Sequence, residues 1–411
     1  MRTKSDRPVL SLTRYRSKKE TAVDGSSSCS TSLGAIATSL IIASSATAIA
    51  ETSLTAEAWG ALPDGRPMTR YTLTNSAGAR ASFMPYGAAV LAIEVPDRDG
   101  NLADVALGYA TAADYATGNS AYIGLTIGRY AGRIAGSTIT IDGETYRLAG
   151  VARGGRPPRE VLHGGVEGFS HRVWEPSTID TEDGAALRFT LVSPDGDQGF
   201  PGEMTVSVIY RWTDDYRLIV DYEATTTKPT VINLTQHSYF NLAGAGNGDV
   251  LDHTLQINAD FYTFTTPDNL PTGEILSVRG TPCDFTEAKP IGRDIESDDP
   301  QMRQNRGFNQ NFVLRRADMP GQLTEAAVLH DPASGRTLTV WTTEPGLFLY
   351  TANFLDTSRP MKGGVTYPLR AGVALETGHF PDSPNQPHFP TTTLVPGDVF
   401  TSRTVFAFSA L

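Results

Sequence analysis

Glycine and proline interrupt this chain so often that they dictate its secondary structure. The 411 residues include 39 Gly and 26 Pro, which separate short segments rich in Val, Ile, Thr, Tyr and Phe. Gly and Pro end regular elements, whereas β-branched and aromatic residues favour strands. The sequence therefore predicts many short strands joined by turns and disfavours long helices.

Period-two alternation identifies the clearest strands. Apolar and polar side chains alternate through Met204–Trp212, and Asp214-Asp215 then turns the chain into a second strand over Tyr216–Ala224. Asp142-Gly143 forms the turn of a predicted hairpin over Ser137–Leu148. Further predicted strands are Arg70–Thr74, Ala81–Met84, Ala89–Val95, Leu187–Val192, Val231–Asn233, Leu255–Ile257, Ala326–His330, Thr337–Thr342 and Thr404–Phe408. Without amphipathic helices between them, these strands predict an all-β fold, a large antiparallel β-sandwich.

Charge is distributed unevenly along the chain. Residues 1–50 hold seven Lys or Arg against three Asp or Glu, so the remaining residues hold 27 against 42, a net charge of −15. A body this acidic repels a phosphate backbone. The composition therefore argues against nucleic acid and anionic membranes as partners.

The basic N-terminal segment has the pattern of an export signal. It precedes the apolar stretch Leu33–Ala50, which ends in Ala48-Ile49-Ala50 before Glu51, as at an A-x-A cleavage site. The alternatives are a membrane anchor and a translation start assigned too far upstream, but the stretch is short for an anchor and contains Ser and Thr. We therefore predict a signal peptide or N-terminal extension over residues 1–50 and a single domain over residues 51–411. The mature protein is expected to be exported, periplasmic or extracellular, without stable membrane insertion after processing. It would retain Cys283 as its single cysteine, which rules out an intrachain disulfide.

Polar residues within apolar or glycine-bearing segments indicate a site. His237 lies in NLTQHSYFNL and Glu376 in ALETGHFPDS, while Arg129 and Arg133 lie in GRYAGRI and His163 in LHGG. A hydrogen-bonded core histidine and a structural ion pair are the alternatives for His237 and Glu376. A rim charge and a turn residue are the alternatives for Arg133 and His163. The sequence contains no nucleotide-binding glycine loop, HExxH or Cys/His cluster, so no metal site is predicted.

Longer motifs add a resemblance to a known family. Six stretches resemble the aldose 1-epimerase, or galactose mutarotase, family: GLTIGRYAGRIAG (124–136), LHGGVEGF (162–169), SPDGDQGFPGEM (193–204), VINLTQHSYFNLAG (231–244), GFNQNFVL (307–314) and ALETGHFPDSPNQPHFP (374–390). The resemblance implies a galactose mutarotase-like supersandwich without a cofactor. It also implies interconversion of the α and β anomers of free, glucose- or galactose-like aldoses by acid–base catalysed ring opening and closure. A small-molecule aldose is the expected partner, and the protein is expected to be a monomer or a homodimer.

The resemblance also assigns roles to single residues. His237 matches the family's general acid and Glu376 its general base. Arg133 and His163 match residues that hydrogen-bond the sugar, and Asn309 stands at a sugar-binding position where the family usually has Asp. At ordinary pKa values of about 6.5 and about 4, a histidine is substantially protonated and a carboxylate is ionised, which suits a proton donor and a proton acceptor.

Three departures from the family pattern concern the choice of substrate. Asn309-Gln310 replaces the usual Asp-His, Gly378 replaces the Gln of ETQ, and Gly132 replaces an Asn. Loss of a charged acceptor predicts weaker binding or a shifted hydroxyl preference. The alternatives are an epimerase of another sugar and a non-catalytic sugar-binding or sensory sandwich. A glycoside hydrolase would need a second carboxylate beside Glu376.

Overall fold

The computed structural model describes residues 52–150, 158–181, 184–316, 321–355 and 361–411. They belong to one unit, Ile49–Leu411. The predicted export signal and its cleavage site lie outside the described residues. Within those ranges, no helix has both the length and the apolar character needed to cross a membrane.

Strands dominate the described residues, as the frequent Gly and Pro residues predict. In chain order they are β1 (Ser53–Ala61), β2 (Pro67–Thr74), β3 (Arg80–Met84), β4 (Ala89–Pro96), β5 (Leu102–Asp104), β6 (Thr126–Ile127), β7 (Arg133–Ala135), β8 (Thr138–Ile141), β9 (Glu144–Arg147), β10 (Glu160–Leu162), β11 (Glu175–Thr181), β12 (Gly184–Ser193), β13 (Met204–Trp212), β14 (Arg217–Thr226), β15 (Thr230–Val231), β16 (Thr235–Gln236), β17 (Tyr239–Phe240), β18 (Thr254–Ile257), β19 (Ala259–Thr265), β20 (Pro271–Ser277), β21 (Lys289–Pro290), β22 (Asn309–Leu314), β23 (Thr324–His330), β24 (Arg336–Thr342), β25 (Gly346–Tyr350), β26 (Val373–Gly378), β27 (Thr393–Leu394) and β28 (Phe400–Ala410). The helices in these ranges are short: α1 (Ala112–Thr117), α2 (Pro300–Asn305), and 3-10 turns at Phe169–His171, Asp197–Gly199, Ile291–Arg293, Lys362–Gly364 and Ser383–Asn385.

Three large antiparallel sheets organise the chain. The first has the order β1-β2-β3-β4-β5, the second β11-β12-β13-β14-β28-β24-β23-β18-β21, and the third β17-β26-β25-β22-β19-β20. The smaller pairs β10-β7, β15-β27, β16-β6 and β8-β9 complete the set. The predicted all-β antiparallel fold is therefore confirmed.

The alternating segments fold as predicted. Met204–Trp212 forms β13 and pairs in register with β14, while the Asp142-Gly143 turn joins β8 to β9. One predicted strand is partly wrong, because regular pairing with β27 stops at Val231 and Asn233 lies beyond it. Asn233 instead uses its side-chain amide to bind the carbonyl oxygens of Ala131 and His379.

The six-stranded sheet separates the core from a cleft. Leu347, Leu349 and Leu375 are fully buried in the main hydrophobic core, together with residues of the other two large sheets. Because side chains alternate along a strand, the intervening residues Phe348 and Glu376 face the other way. These two are register partners across β25 and β26, and both line the cleft.

Candidate active site

A single cleft brings the predicted site residues together. Its volume is about 200 Å³, and its lining includes all five of Arg133, His163, His237, Asn309 and Glu376. The other lining residues are Ser120, Ala121, Tyr122, Ala131, Gly132, Leu162, Asn233, Thr235, Tyr239, Thr265, Asn269, Pro271, Asn305, Asn311, Phe348, Tyr350, Phe354, Thr377, Gly378, His379 and Pro381. Three of these residues form a row across neighbouring strands of the six-stranded sheet, because Asn311 pairs with Phe348 and Phe348 with Glu376.

Backbone hydrogen bonds on both sides fix the position of His237. Its N–H donates to the carbonyl of Leu125 at 2.9 Å, and its carbonyl accepts from Gly124 N–H at 2.9 Å. The preceding strand β16 pairs with β6, so this short segment is held although it belongs to no long strand. Period two then brings Asn233, Thr235, His237 and Tyr239 to the same cleft.

Aromatic rings surround the His237 imidazole. Tyr239 is stacked on it with ring centroids 5.1 Å apart, and Tyr122 lies at 6.0 Å with a similar orientation. His163 meets it edge-on at 5.4 Å. Nδ1 of His237 is buried without a hydrogen-bond partner in the described residues. Backbone contacts and ring packing therefore set the orientation of this imidazole.

His237 and Glu376 form a buried pair. Nε2 of His237 lies 3.4 Å from Oε1 of Glu376, and the two side chains are only 5% and 7% exposed. Burial lowers the pKa of His237 to about 3. Burial also raises the pKa of Glu376 to about 8, although the charge of Arg133 acts in the opposite direction. Both shifts have one physical cause, since a dry site disfavours the charged form of either group.

The expectation of ordinary pKa values for this pair is therefore wrong. A histidine with a pKa near 3 and a carboxyl with a pKa near 8 share a single proton at neutral pH, and Glu376 holds it. The sequence reveals the residue types but not their desolvation, which arises from chain segments far apart in sequence. The pair has one proton to exchange and no net charge.

Arg133 is fixed beside the pair by an ion pair and by the segment that follows β26. Its Nε lies 2.9 Å from Oε2 of Glu160, and both side chains are largely buried. Its carbonyl accepts from Asp382 N–H at 2.7 Å, and the Asp382 carboxylate accepts from Ala135 N–H at 3.0 Å. These hydrogen bonds hold residues 381–385 (PDSPN), which follow β26, against β7. They thereby bring Arg133 and Glu376 into one site.

His163 presents a defined hydrogen-bond donor. Its Nδ1 accepts from the backbone N–H of Gly132 at 3.2 Å, so the neutral ring carries its proton on Nε2. Burial, followed by the nearby His237 and Arg133, holds the pKa of His163 well below its usual value. The imidazole therefore remains neutral at physiological pH and offers Nε2–H as a donor.

Two polar residues singled out in the sequence lie elsewhere. Arg129 is 2% exposed and donates to the carbonyls of Pro201 and Gly202, so it holds loops together away from the cleft. Gln310 is buried outside the cleft, and its Oε1 accepts from Asn309 N–H at 2.7 Å. Of the Asn309-Gln310 departure, only Asn309 lines the cleft.

Sequence reasoning missed several residues of the cleft. Tyr239 and Asn311 each lie two positions beyond a predicted site residue, so strict alternation from His237 and Asn309 could have found them. Tyr122, Phe348 and the Arg133 partner Glu160 had no comparable local signal. They reach the site through strand register and loop packing.

The cleft also contains the donor set of a possible metal site. His163, His237 and Glu376 each offer one ligand atom, and these atoms lie within 4.8 Å of one another. Two imidazoles and a carboxylate suit a divalent transition metal. The charge of Arg133, close enough to act on both Glu376 and His163, opposes a cation there. The arrangement fits proton transfer better than metal ligation.

Comparisons with known proteins agree with the fold and identify the family. The family model described as aldose 1-epimerase matches residues 69–407. A galactose mutarotase from Sus scrofa is 39% identical over 357 residues, covering 87% of this chain and 99% of that protein. An aldose 1-epimerase from Escherichia coli K12 is 40% identical over 352 residues, covering 85% and 97%. A crystal structure of an aldose epimerase homologue from C. elegans superposes with a TM-score of 0.73 at 28% identity, covering 88% and 99%.

Proposed function

Since the chain belongs to the aldose 1-epimerase family and is an isomerase that interconverts sugar anomers, we propose that His237 and Glu376 are its acid and base. The observation that carries this proposal is the buried 3.4 Å contact between two residues that line the cleft. Ring opening needs a proton delivered to the ring oxygen and another removed from the C1 hydroxyl. Both oxygens are bonded to C1, so the donor and the acceptor must lie close together.

Ring opening takes one proton from the sugar and delivers one proton to it, so no net proton is consumed. Glu376 takes the proton of the C1 hydroxyl while His237 protonates the ring oxygen, the C1–ring oxygen bond breaks, and a free aldehyde forms. Rotation about C1–C2 exposes the other face, and closure reverses both transfers. Sugar hydroxyls that donate to the carboxylate, together with the charge of Arg133, stabilise ionised Glu376 and move the shared proton to His237. Acid–base catalysis of this kind contributes about 10²–10⁴-fold.

Arg133 and His163 are proposed as sugar-binding residues. The Arg133 guanidinium can donate to sugar oxygens, and its charge stabilises oxygen that becomes negative during proton transfer. The Nε2–H of His163 offers a second donor of fixed orientation. Asn309 supplies an uncharged polar group beside Tyr350, its register partner on the neighbouring strand. Free glucose- and galactose-like aldoses fit this donor and acceptor set.

Polarimetry of freshly dissolved α-glucose and α-galactose tests the assignment. His237→Asn and Glu376→Gln should each lose about 10²-fold or more of the enzymatic acceleration, because each removes one proton carrier. His330→Asn, a histidine of β23 that does not line the cleft, should retain it. Wild-type rates in both cleft variants would overturn the assignment, and sugar binding without acceleration by the unaltered protein would favour a sugar-binding sandwich.

We also propose export of the protein and removal of residues 1–50. The support is the basic segment, the apolar stretch and the Ala48-Ile49-Ala50 sequence before Glu51. N-terminal sequencing of the protein recovered from a periplasmic fraction should begin at Glu51. A cytoplasmic protein that keeps its first residues would refute this.

A further inference from the structure

Asn305, a residue outside every motif of the sequence analysis, makes polar contacts in the wall of the cleft. It is the last residue of α2 and is fully buried. Its Nδ2 donates to the backbone carbonyl of Gln301 at 3.2 Å. A carbonyl oxygen only accepts, so the amide nitrogen must occupy that position, and the Asn305 Oδ1 atom must face the other way.

The orientation of Asn305 determines the orientation of Asn309. Oδ1 of Asn305 accepts a hydrogen bond from Nδ2 of Asn309 at 2.9 Å. The nitrogen of the Asn309 amide is therefore committed to Asn305, and its oxygen points away from that contact. A flipped Asn309 would set two oxygens against each other.

Oδ1 of Asn309 is available to a ligand. It accepts no hydrogen bond within the described residues, and it is not among their buried, unpartnered polar atoms. Asn309 itself is half-buried and lines the cleft. The hydrogen bonds from Gln301 through Asn305 to Asn309 therefore leave one uncharged acceptor, Oδ1 of Asn309, in a fixed orientation.

We propose that Asn305 is a positioning residue that fixes Asn309 as a hydrogen-bond acceptor for one sugar hydroxyl. This inference rests on the proposed function, because it assigns a specificity element to the same site. A carboxylate would offer an acceptor in either of its two orientations, whereas an amide does so in only one. Replacing Asp by Asn therefore makes recognition depend on a second residue that holds the amide.

Asn305→Leu tests the positioning role, since Leu has a similar size and removes the contact to Asn309. The KM for galactose should rise about three- to tenfold, the range expected for one neutral hydrogen bond, with little change in kcat. Asn305→Asp is the conservative variant. Its protonated carboxyl can donate to the Gln301 carbonyl and accept from Asn309, so KM should remain near the unaltered value.

Combination with Asn309→Asp separates positioning from mere structural support. With Asp at 309, both side-chain oxygens accept and orientation no longer matters. Adding Asn305→Leu should then leave KM unchanged or lower it by removing oxygen–oxygen repulsion. Equal effects of Asn305→Leu on KM in both backgrounds would overturn the proposal, as would loss of kcat with unchanged KM.

Galactose affinity, measured by calorimetry in the unaltered protein, Asn305→Leu, Asn309→Asp and the double variant, distinguishes failure of this inference from failure of the proposed function. If the unaltered protein does not accelerate mutarotation, the function fails. The same non-additive pattern in Kd would still support the positioning role, and its absence would refute it.

Discussion

At the scale of single residues, desolvation sets the pKa values of the proposed acid–base pair. Because burial moves the pKa of His237 down to about 3 and that of Glu376 up to about 8, the pair holds one proton throughout the interval between them. Proton exchange with a sugar needs this singly protonated form. The pH range over which the pair is active is therefore wider than a histidine and a carboxyl with ordinary pKa values would give.

The pH dependence of kcat/KM should show this width. As pH rises through about 8, the pair loses its only proton and activity falls; as pH falls towards about 3, it gains a second proton and activity falls again. Stopped-flow polarimetry, corrected for spontaneous mutarotation, measures the profile. Arg133→Gln should move the alkaline limb upward, since the Arg133 charge lowers the pKa of Glu376. An alkaline limb near the usual histidine pKa of about 6.5 would contradict this.

Residue types could be recognised from the sequence, but their environment could not. His237 and Glu376 stand out because polar groups within apolar segments need a reason to be there. Their pKa shifts depend on Tyr122, Tyr239 and the other walls of the cleft, which belong to separate elements. The Asn305–Asn309 contact likewise depends on how α2 packs against β22.

At the scale of elements, short strands position the proposed sugar-binding residues. β7 and β10 form a two-stranded sheet in which Arg133 is the register partner of Leu162, and His163 follows directly. Glu160, at the other end of β10, reaches the Arg133 guanidinium. This small sheet therefore fixes both predicted sugar-binding side chains with one set of backbone contacts.

Glu160→Gln should loosen Arg133 without removing it. The ion pair is about four-fifths buried on both sides, so its loss should raise KM about three- to tenfold, with a smaller effect on kcat. Steady-state polarimetry separates the two constants. Asp268→Asn is a matched control, because it breaks the exposed ion pair of the neighbouring Arg159 and should leave both constants unchanged. Similar effects in the two variants would argue against a role for Glu160.

Strand prediction succeeded where apolar and polar residue types alternate. β14 alternates in burial as well, and β13 alternates in residue type although most of its residues are buried, whereas β1 is mostly exposed and β26 is buried along its whole length, so neither shows the pattern. Continuous burial of β26 is also what raises the pKa of Glu376, the proposed base. The strand that carries this residue therefore shows no period-two signal in the sequence.

At the scale of the whole molecule, the site opposes stability. Above its unfolded pKa of about 4.5, Glu376 ionises in the unfolded chain but stays protonated in the folded protein until about pH 8. Ionisation therefore lowers the free energy of the unfolded state relative to the folded state as pH rises through this interval. Folding stability from this group is fully present below about pH 4.5 and is lost towards pH 8.

Glu376→Gln should therefore stabilise the inactive protein. At pH 7, which lies about 2.5 units above the unfolded pKa, keeping Glu376 protonated lowers the free energy of unfolding by about 3 kcal/mol. This is the largest stabilisation expected from the variant, reached if Gln packs as Glu does. Calorimetry should show a higher Tm for the variant at pH 7 and a difference that vanishes near pH 4.5. Glu344→Gln supplies the opposite control: burial alone would raise the pKa of Glu344, but its contact with His379 holds that pKa below the usual value. Removing this buried partner should lower Tm at pH 7. A Glu376→Gln protein that unfolds earlier than the unaltered protein at pH 7 would show that the carboxyl is not held neutral by burial.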